Sequence, residues 1–207
     1  MACAGNHDVC PHSINFDGYA SYPDGQAWCA GDAGWECGAG YLTRFKMPGA
    51  NESIPNPFHP ESEADCLAAY YTKVWHAYTY GPIRFIAIST EHNFTQGSSQ
   101  YAWLEAELSA VDRQDTPWVI VYGHRPLYCS GIYLNQCGEN PAVKSMAEHL
   151  RDHLEPLLIR NGVDLALWAH EHAYERAYPV RNGTVVQYTT DNPGASTSAC
   201  AHWHGRC

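Results

Sequence analysis

The sequence predicts an α/β fold, and three observations support this prediction. Short apolar runs typical of strands alternate with two longer segments at helical spacing. Two of the apolar runs end at a histidine, as expected at the edge where open α/β sheets place their ligand sites. With 207 residues, the chain has the length of a single domain.

The strands are predicted from apolar runs bounded by turn residues. Five such segments are found, at residues 72–81, 83–90, 117–124, 163–170 and 184–190. The first two are separated by a Gly-Pro turn. A further short strand is predicted at 41–49, inside a region from residue 1 to residue 66 that is rich in turn and loop residues.

Two helices are predicted between the later strands. Residues 98–112 place apolar side chains at helical spacing after two serines that can cap the helix. Residues 142–162 contain Pro156 as a candidate kink and close with an Asn-Gly stop signal. In the second helix, His149 and His153 lie one turn apart beside acidic residues, which predicts a solvated face.

Composition and charge limit the classes of partner. Hydrophobic residues make up 45% of the chain and charged residues 16%, which is typical of a globular protein. The net charge of -10 disfavours nucleic acid or an anionic membrane as the main partner. No apolar run reaches the ~18 residues that a membrane-spanning helix needs. A small phosphorylated substrate stays compatible, because bound metal ions supply a local positive field.

The cysteines and glycosylation sequons favour the secretory pathway. Nine cysteines occur without any CxxC pair, and sequons begin at Asn51, Asn93 and Asn182. Cys129 and Cys137 flank one predicted loop and are the favoured disulfide pair. The first residues, MACAGNHD, show no signal-peptide pattern, so we expect the secretory signal to be missing from this chain.

Three short motifs carry the residues that can bind metal: GNHD at 5–8, VYGH at 121–124 and HEH at 170–172. A lone HxH pair is more often coincidental than a ligand pair. Three such motifs in this order, two of them at strand ends, favour a metal centre.

In this order the motifs resemble those of the calcineurin-like metallophosphoesterases, and the flanking blocks resemble purple acid phosphatases of the animal and protist type. The blocks are GNHD, YLTRFKMPG, GPIRFIAISTE, VIVYGHRPLYCS and LWAHEHAYER. The resemblance implies a β-sandwich flanked by helices in βαβ units, present here as a partial domain over residues 1–195 that lacks its first strands. Residues 196–207 then form an atypical tail.

The resemblance also implies a binuclear metal centre, in which iron is paired with zinc, manganese or a second iron. By position, Asn6, His124 and His170 would bind the second metal and His172 would bind the iron. Residues two apart on an extended segment point the same way, so the HEH pair can reach two neighbouring ions.

The resemblance assigns catalytic roles to the remaining GNHD residues. His7 would donate to a phosphate oxygen or protonate the leaving alkoxide, and Asp8 would orient that imidazole.

Other residues near the motifs are weaker candidates for the site. His92 follows a strand end and is predicted to support the site, and Tyr128 or Tyr133 is predicted to help hold the phosphate. Tyr174, Glu175 and Arg176 are expected to lock the HEH segment by packing and hydrogen bonds rather than to touch substrate.

The chain departs from the family pattern at its front. The family's GDxG and GDxxY motifs precede GNH, whereas only four residues precede Gly5 here. The resemblance therefore implies a metal-dependent acid phosphatase acting on phosphate monoesters, impaired by loss of these motifs. The alternatives are a phosphodiesterase or nucleotide pyrophosphatase on the same scaffold, and a non-catalytic fragment that binds at most one metal.

Overall fold

The computed structural model describes Cys3, Gly5, Cys137 and residues 74–130 and 144–186. The predicted strand at 41–49, the tail at 196–207 and the second part of the strand predicted at 184–190 lie outside these residues.

The elements within the described residues follow the predicted order and are shorter than predicted at most ends. They are β1 (His76–Tyr80), β2 (Ile83–Ala87), α1 (Ser99–Ser109), β3 (Trp118–Tyr122), α2 (Met146–Arg160), β4 (Leu165–Leu167), β5 (Val180–Arg181) and β6 (Thr184–Val185). Only β5 was not predicted, because its two residues are too short to show a period. No helix of the described ranges is long and apolar enough to cross a membrane.

The first four strands form one sheet in chain order. β1 pairs with β2 in antiparallel fashion through a turn at Gly81, whose φ of 56° suits glycine. β2, β3 and β4 are parallel, and the crossovers between them contain α1 and α2. The α/β prediction is confirmed. Beyond this sheet, the described residues contain only the β5–β6 hairpin, so the second sheet of a sandwich is not among them.

One apolar core joins the sheet to both helices. On β3 the buried residues alternate, as the period of two requires, and they are Val119 and Val121. On β2 the consecutive residues Ile86 and Ala87 are both buried. The helices add leucines at helical spacing, and the buried leucines of α1 and α2 are Leu104, Leu108, Leu150, Leu154, Leu157 and Leu158. The parallel pairing of β2, β3 and β4 places their carboxyl ends at one common edge of this sheet.

Helix α2 begins with a capping box and continues through Pro156. The Ser145 hydroxyl accepts a hydrogen bond from the Glu148 N–H at 3.2 Å, and the Glu148 carboxylate accepts one from the Ser145 N–H at 2.8 Å.

The prediction of a solvated histidine face on α2 is wrong for His149, which is only 6% exposed. Phe94, from the loop after β2, covers it with ring centroids 5.7 Å apart. A helical pattern cannot reveal cover provided by a distant loop.

Gly123 follows β3 at a point where there is no room for a side chain. A Cβ built there would lie 2.9 Å from the Trp168 ring, 3.1 Å from Ile88 and 3.3 Å from Thr90. We expect Gly123→Ala to lower the free energy of unfolding by about 1–3 kcal/mol, because overpacking forces neighbours off their preferred positions. Urea denaturation measures this change. Trp168→Leu replaces the ring by a smaller side chain. The Gly123→Ala/Trp168→Leu double variant should therefore lose less free energy of unfolding than the sum of the two single losses, and an additive loss would contradict the clash.

Candidate metal centre

The parallel pairing of β3 and β4 brings two of the predicted ligands side by side. Backbone hydrogen bonds continue past the strand ends, from Gly123 N to Leu167 O at 3.1 Å and from Ala169 N to His124 O at 2.8 Å. His124 and His170 are therefore placed next to each other, although 46 positions separate them along the chain.

The two imidazoles converge on one point. The Nδ1 of His170 lies 3.0 Å from the Nε2 of His124, and the ring planes meet at 74°. His170 has a φ of 70°, in the left-handed region that non-glycine residues rarely adopt. Such a conformation costs about 1–3 kcal/mol and persists where surrounding structure enforces it, which is common at functional sites.

Gly5 brings the GNHD motif to the same point. It is buried, and a Cβ at this position would lie 3.0 Å from both Cε1 and Nδ1 of His124. The bare Cα of glycine is what allows the backbone to approach this ring. Asn6, His7 and Asp8, which follow on the chain, lie outside the described residues, so their roles stay predictions.

The His124–His170 pair fits a metal ion. Two imidazole nitrogens are the ligands that zinc and iron accept readily. Tetrahedral bonds of ~2.0–2.1 Å to zinc place neighbouring nitrogens roughly 3.3 Å apart. The observed 3.0 Å between the two nitrogens is close to that separation. The separation of these two nitrogens is therefore compatible with both of them binding one ion.

His172 is placed apart from this pair. It is exposed, and among the described residues its ring nitrogens form no group of three with the donor atoms of His124 and His170 within 4.8 Å. The resemblance assigns His172 to the other metal ion. That assignment stays a prediction.

A disulfide closes part of the loop after β3, beside the HEH segment. The predicted Cys129–Cys137 bond is confirmed, with Cα atoms 5.4 Å apart. The Cys137 sulfur lies 3.9 Å from the Glu171 carboxylate. Cys129, Cys137 and Glu171 lie close enough together to suggest a metal cluster. Because both sulfurs are already bonded to each other, neither offers the thiolate that a metal needs, and the contact with Glu171 is one of van der Waals packing.

A hydrogen bond joins the loop after β3 to the residues that follow HEH. The Ser130 N–H donates to the Glu175 carboxylate at 3.1 Å, as expected for a residue that locks the HEH segment. The expectation that Tyr174 packs there is wrong, since it is 90% exposed, and Arg176 is exposed as well. Tyr178, four residues further along the chain than Tyr174, is exposed as well.

His92 supports the loop after β2 from inside the protein. It is 3% exposed, and its Nδ1 lies 2.7 Å from the Ser89 hydroxyl. Burial lowers the pKa of His92 to about 3, so the ring stays neutral at physiological pH. A ring this deeply buried is placed to hold the loop rather than to contact a substrate that arrives from solvent.

Tyr128 is bonded to α2 and to the β5–β6 hairpin. Its hydroxyl donates to the Glu155 carboxylate at 2.5 Å and accepts from the Gly183 N–H at 3.0 Å. Burial raises the pKa of Tyr128 to about 12. Its hydroxyl is thus engaged in holding the hairpin, and a role in substrate binding stays a prediction.

An ion pair beside the site was not predicted. Arg125 directly follows His124, and its Nε donates to both oxygens of Glu91, at 2.8 and 3.0 Å. The sequence signal was the presence of opposite charges just beyond the ends of two neighbouring strands, 83–90 and 117–124. It becomes informative only once those strands are known to be parallel neighbours.

Comparison with known proteins groups this chain with phosphoesterases. A family model described as calcineurin-like phosphoesterase matches residues 1–174. Probable inactive purple acid phosphatase 9 of Arabidopsis thaliana is 34% identical over 193 residues, which cover 92% of this chain and 26% of that protein. Human acid phosphatase type 7 is 33% identical over 171 residues, which cover 78% of this chain and 34% of that protein.

A solved structure shows the same fold. Purple acid phosphatase PPD1 from yellow lupin (Lupinus luteus) seeds matches with a TM-score of 0.60 and 30% identity, over 89% of this chain and 27% of that protein. The chain thus spans between about a quarter and a third of the length of these relatives.

Proposed function

Because the chain belongs to the calcineurin-like phosphoesterase family, with relatives named as purple acid phosphatases, we propose that its site is that of a metal-dependent acid phosphatase. The observation that supports this most directly is the His124–His170 pair at the common edge of β3 and β4, with Gly5 packed against it. In this proposal the pair holds one ion of a binuclear centre, and small phosphate monoesters are the substrates.

The remaining ligands are assigned by position in the family motifs. Asn6 adds its amide oxygen to the ion held by His124 and His170, and His172 binds the neighbouring iron. The second metal is zinc, manganese or another iron. When bound, such a centre activates water and neutralises phosphoryl charge for in-line hydrolysis.

The protein groups contribute orientation and proton transfer. His7 donates a proton to the leaving alkoxide or a hydrogen bond to a phosphate oxygen, and Asp8 fixes its orientation. The left-handed backbone at His170 holds one imidazole toward His124, which reduces the reorganisation that metal binding requires.

The competing proposal is a non-catalytic chain that holds at most one ion. Only His172 is assigned to the iron, and one imidazole holds an ion weakly compared with a three-ligand set. The word "inactive" in the name of the Arabidopsis relative is compatible with this alternative.

Metal analysis together with a phosphatase assay separates these proposals. The chain is purified after loading with iron and zinc, and its metal content is measured beside hydrolysis of 4-nitrophenyl phosphate. Two ions per chain with turnover support the phosphatase. One ion or none, without turnover, supports the non-catalytic chain and overturns the phosphatase. Faster hydrolysis of bis(4-nitrophenyl) phosphate than of the monoester would favour a phosphodiesterase.

We also propose that the protein enters the secretory pathway, and its sequons then differ in accessibility. Asn182 is exposed at the tip of the β5–β6 hairpin with a φ of 47°. Asn93 is half-buried, its Oδ1 accepts from the Thr95 N–H at 2.9 Å, and the adjacent Phe94 is fully buried. Asn51 lies outside the described residues.

On expression in a secretory host, we expect Asn182 to carry a glycan in a larger fraction of molecules than Asn93, because its amide faces solvent in the folded hairpin. Glycopeptide mass spectrometry measures both occupancies. Asn182→Gln should remove most of the mass shift caused by glycosylation at these two positions, whereas Asn93→Gln should remove little. Equal occupancy at the two sites would contradict the expectation.

A further inference from the structure

A buried ion pair joins the loops that follow β2 and β3. We call Thr90, Glu91 and Arg125 the clamp. The Arg125 guanidinium donates through Nε to both Glu91 oxygens, at 2.8 and 3.0 Å. The Thr90 hydroxyl donates to Glu91 at 3.0 Å and accepts from the Arg125 backbone N–H at 2.9 Å.

The clamp is more deeply buried than the other ion pairs of the described residues. The side chains of Arg125 and Glu91 are 5% and 9% exposed. The remaining pairs have side-chain exposures from 21% to 58%. Desolvation offsets much of the attraction within such a pair, so a buried ion pair is weak evidence for stability alone. What it supplies here is a fixed geometry.

That geometry is imposed on the residue next to a proposed ligand. On one side, the backbone N–H of Arg125 is bonded to Thr90 in the loop after β2. On the other side, the carbonyl of His124 accepts from the Ala169 N–H at 2.8 Å in the segment after β4. His124 is thus held between both neighbouring strands, with its Nε2 3.0 Å from His170.

We propose that the clamp positions His124 for metal binding, with Glu91 and Arg125 acting as positioning residues that do not themselves touch the ion. The part of this inference that concerns metal binding rests on the proposed function. The part that concerns the position of His124 does not. Residues that orient a metal ligand change metal affinity by about 10–100-fold when they are replaced.

Titration with Co²⁺, followed by its visible absorption bands, measures the effect in the full chain. We expect Glu91→Gln to weaken Co²⁺ binding by about 10–100-fold. Arg125→Lys should also weaken it, because an ammonium retains the charge but lacks the planar donors that bind a carboxylate in a fixed orientation. Glu107→Gln is the matched control, since it removes the Arg84–Glu107 pair between β2 and α1, whose side chains are 24% and 21% exposed. It should leave Co²⁺ affinity unchanged.

Hydrogen exchange of the metal-free protein tests the clamp independently of the metal. In Glu91→Gln, the Ala169 amide should exchange faster than in the wild type, while amides of the β1–β2 hairpin keep their rates. If the wild-type chain binds no Co²⁺, the proposed function fails, but this measurement still decides whether the clamp holds His124.

A double variant that lacks both buried charges tests whether weaker Co²⁺ binding results merely from unfolding. Glu91→Gln/Arg125→Met removes both buried charges, so no charge is left unpaired inside the protein. We expect it to fold and still to show weak Co²⁺ binding and fast Ala169 exchange. Wild-type Co²⁺ affinity together with wild-type exchange at Ala169, in either Glu91 variant, would overturn the proposal.

Discussion

Replacing His170 with glycine is expected to weaken Co²⁺ binding by at least about 100-fold without destabilising the protein, because a direct ligand should matter more than the residues that orient it. Its Nδ1 is one of two nitrogens that converge 3.0 Å apart at the sheet edge. Glycine suits this position because the φ of 70° is in the left-handed region, where a side chain costs about 1–2 kcal/mol. Co²⁺ titration and urea denaturation of the same preparation measure the two effects.

The control for this change is His172→Gly, which removes an exposed imidazole two residues further along the same segment. If the two histidines serve different ions, His172→Gly should leave the tighter Co²⁺ site in place and reduce only the weaker one. Equal loss of the tighter site in both variants would contradict the assignment of His170 and His172 to separate ions. Loss of stability in His170→Gly would show that the imidazole, and not the metal site alone, stabilises this turn.

The convergence of His124 and His170 could be predicted because the topology follows from simple patterns. Apolar runs followed by helical segments indicate parallel strands, and the carboxyl ends of parallel strands meet at one edge. A histidine at the end of each run must then lie near its neighbour, which is what the 3.0 Å contact shows. The contact of Gly5 with the His124 ring adds the first motif to the same edge. Which nitrogen faces which ring depends on the backbone angle at His170, and no spacing rule gives that angle.

Contacts between distant loops were the part that the sequence could not reveal. His149 is on the helix face that its period assigns to solvent, yet Phe94 covers it from the loop after β2. The pairing of Glu91 with Arg125 likewise depends on two loops meeting across the sheet edge. Tyr174 shows the opposite case. An aromatic residue beside the HEH motif was expected to pack against it, but Tyr174 is 90% exposed. The period of apolar residues predicts which face of a helix or strand is apolar. It does not predict which distant segment of the chain covers the opposite face.

Acidification from pH 7 to pH 4 is expected to destabilise the metal-free protein by several kcal/mol. Burial lowers the pKa of His76 to about 4 and that of His92 to about 3, from an ordinary value of 6.5. Below pH 6.5 these two histidines therefore bind protons in the unfolded chain but stay neutral in the folded protein, until the pH reaches their lowered pKa values. Each histidine removes up to ~1.4 kcal/mol of stability per pH unit until its folded pKa is reached. Over the window from pH 6.5 to pH 4 the two together remove roughly 6 kcal/mol, against a typical total of about 5–15 kcal/mol for a domain.

Urea denaturation at half-unit steps between pH 7 and pH 4 measures this slope. Both residues are 3% exposed, which agrees with burial as the main cause of the two shifts. His92→Gln replaces a titrating group by a neutral one that can still bond the Ser89 hydroxyl, and it should reduce the slope by about half. His153→Gln, on a half-buried helix position, is the matched control and should leave most of the slope in place. A stability that stays flat across this range would contradict burial as the cause.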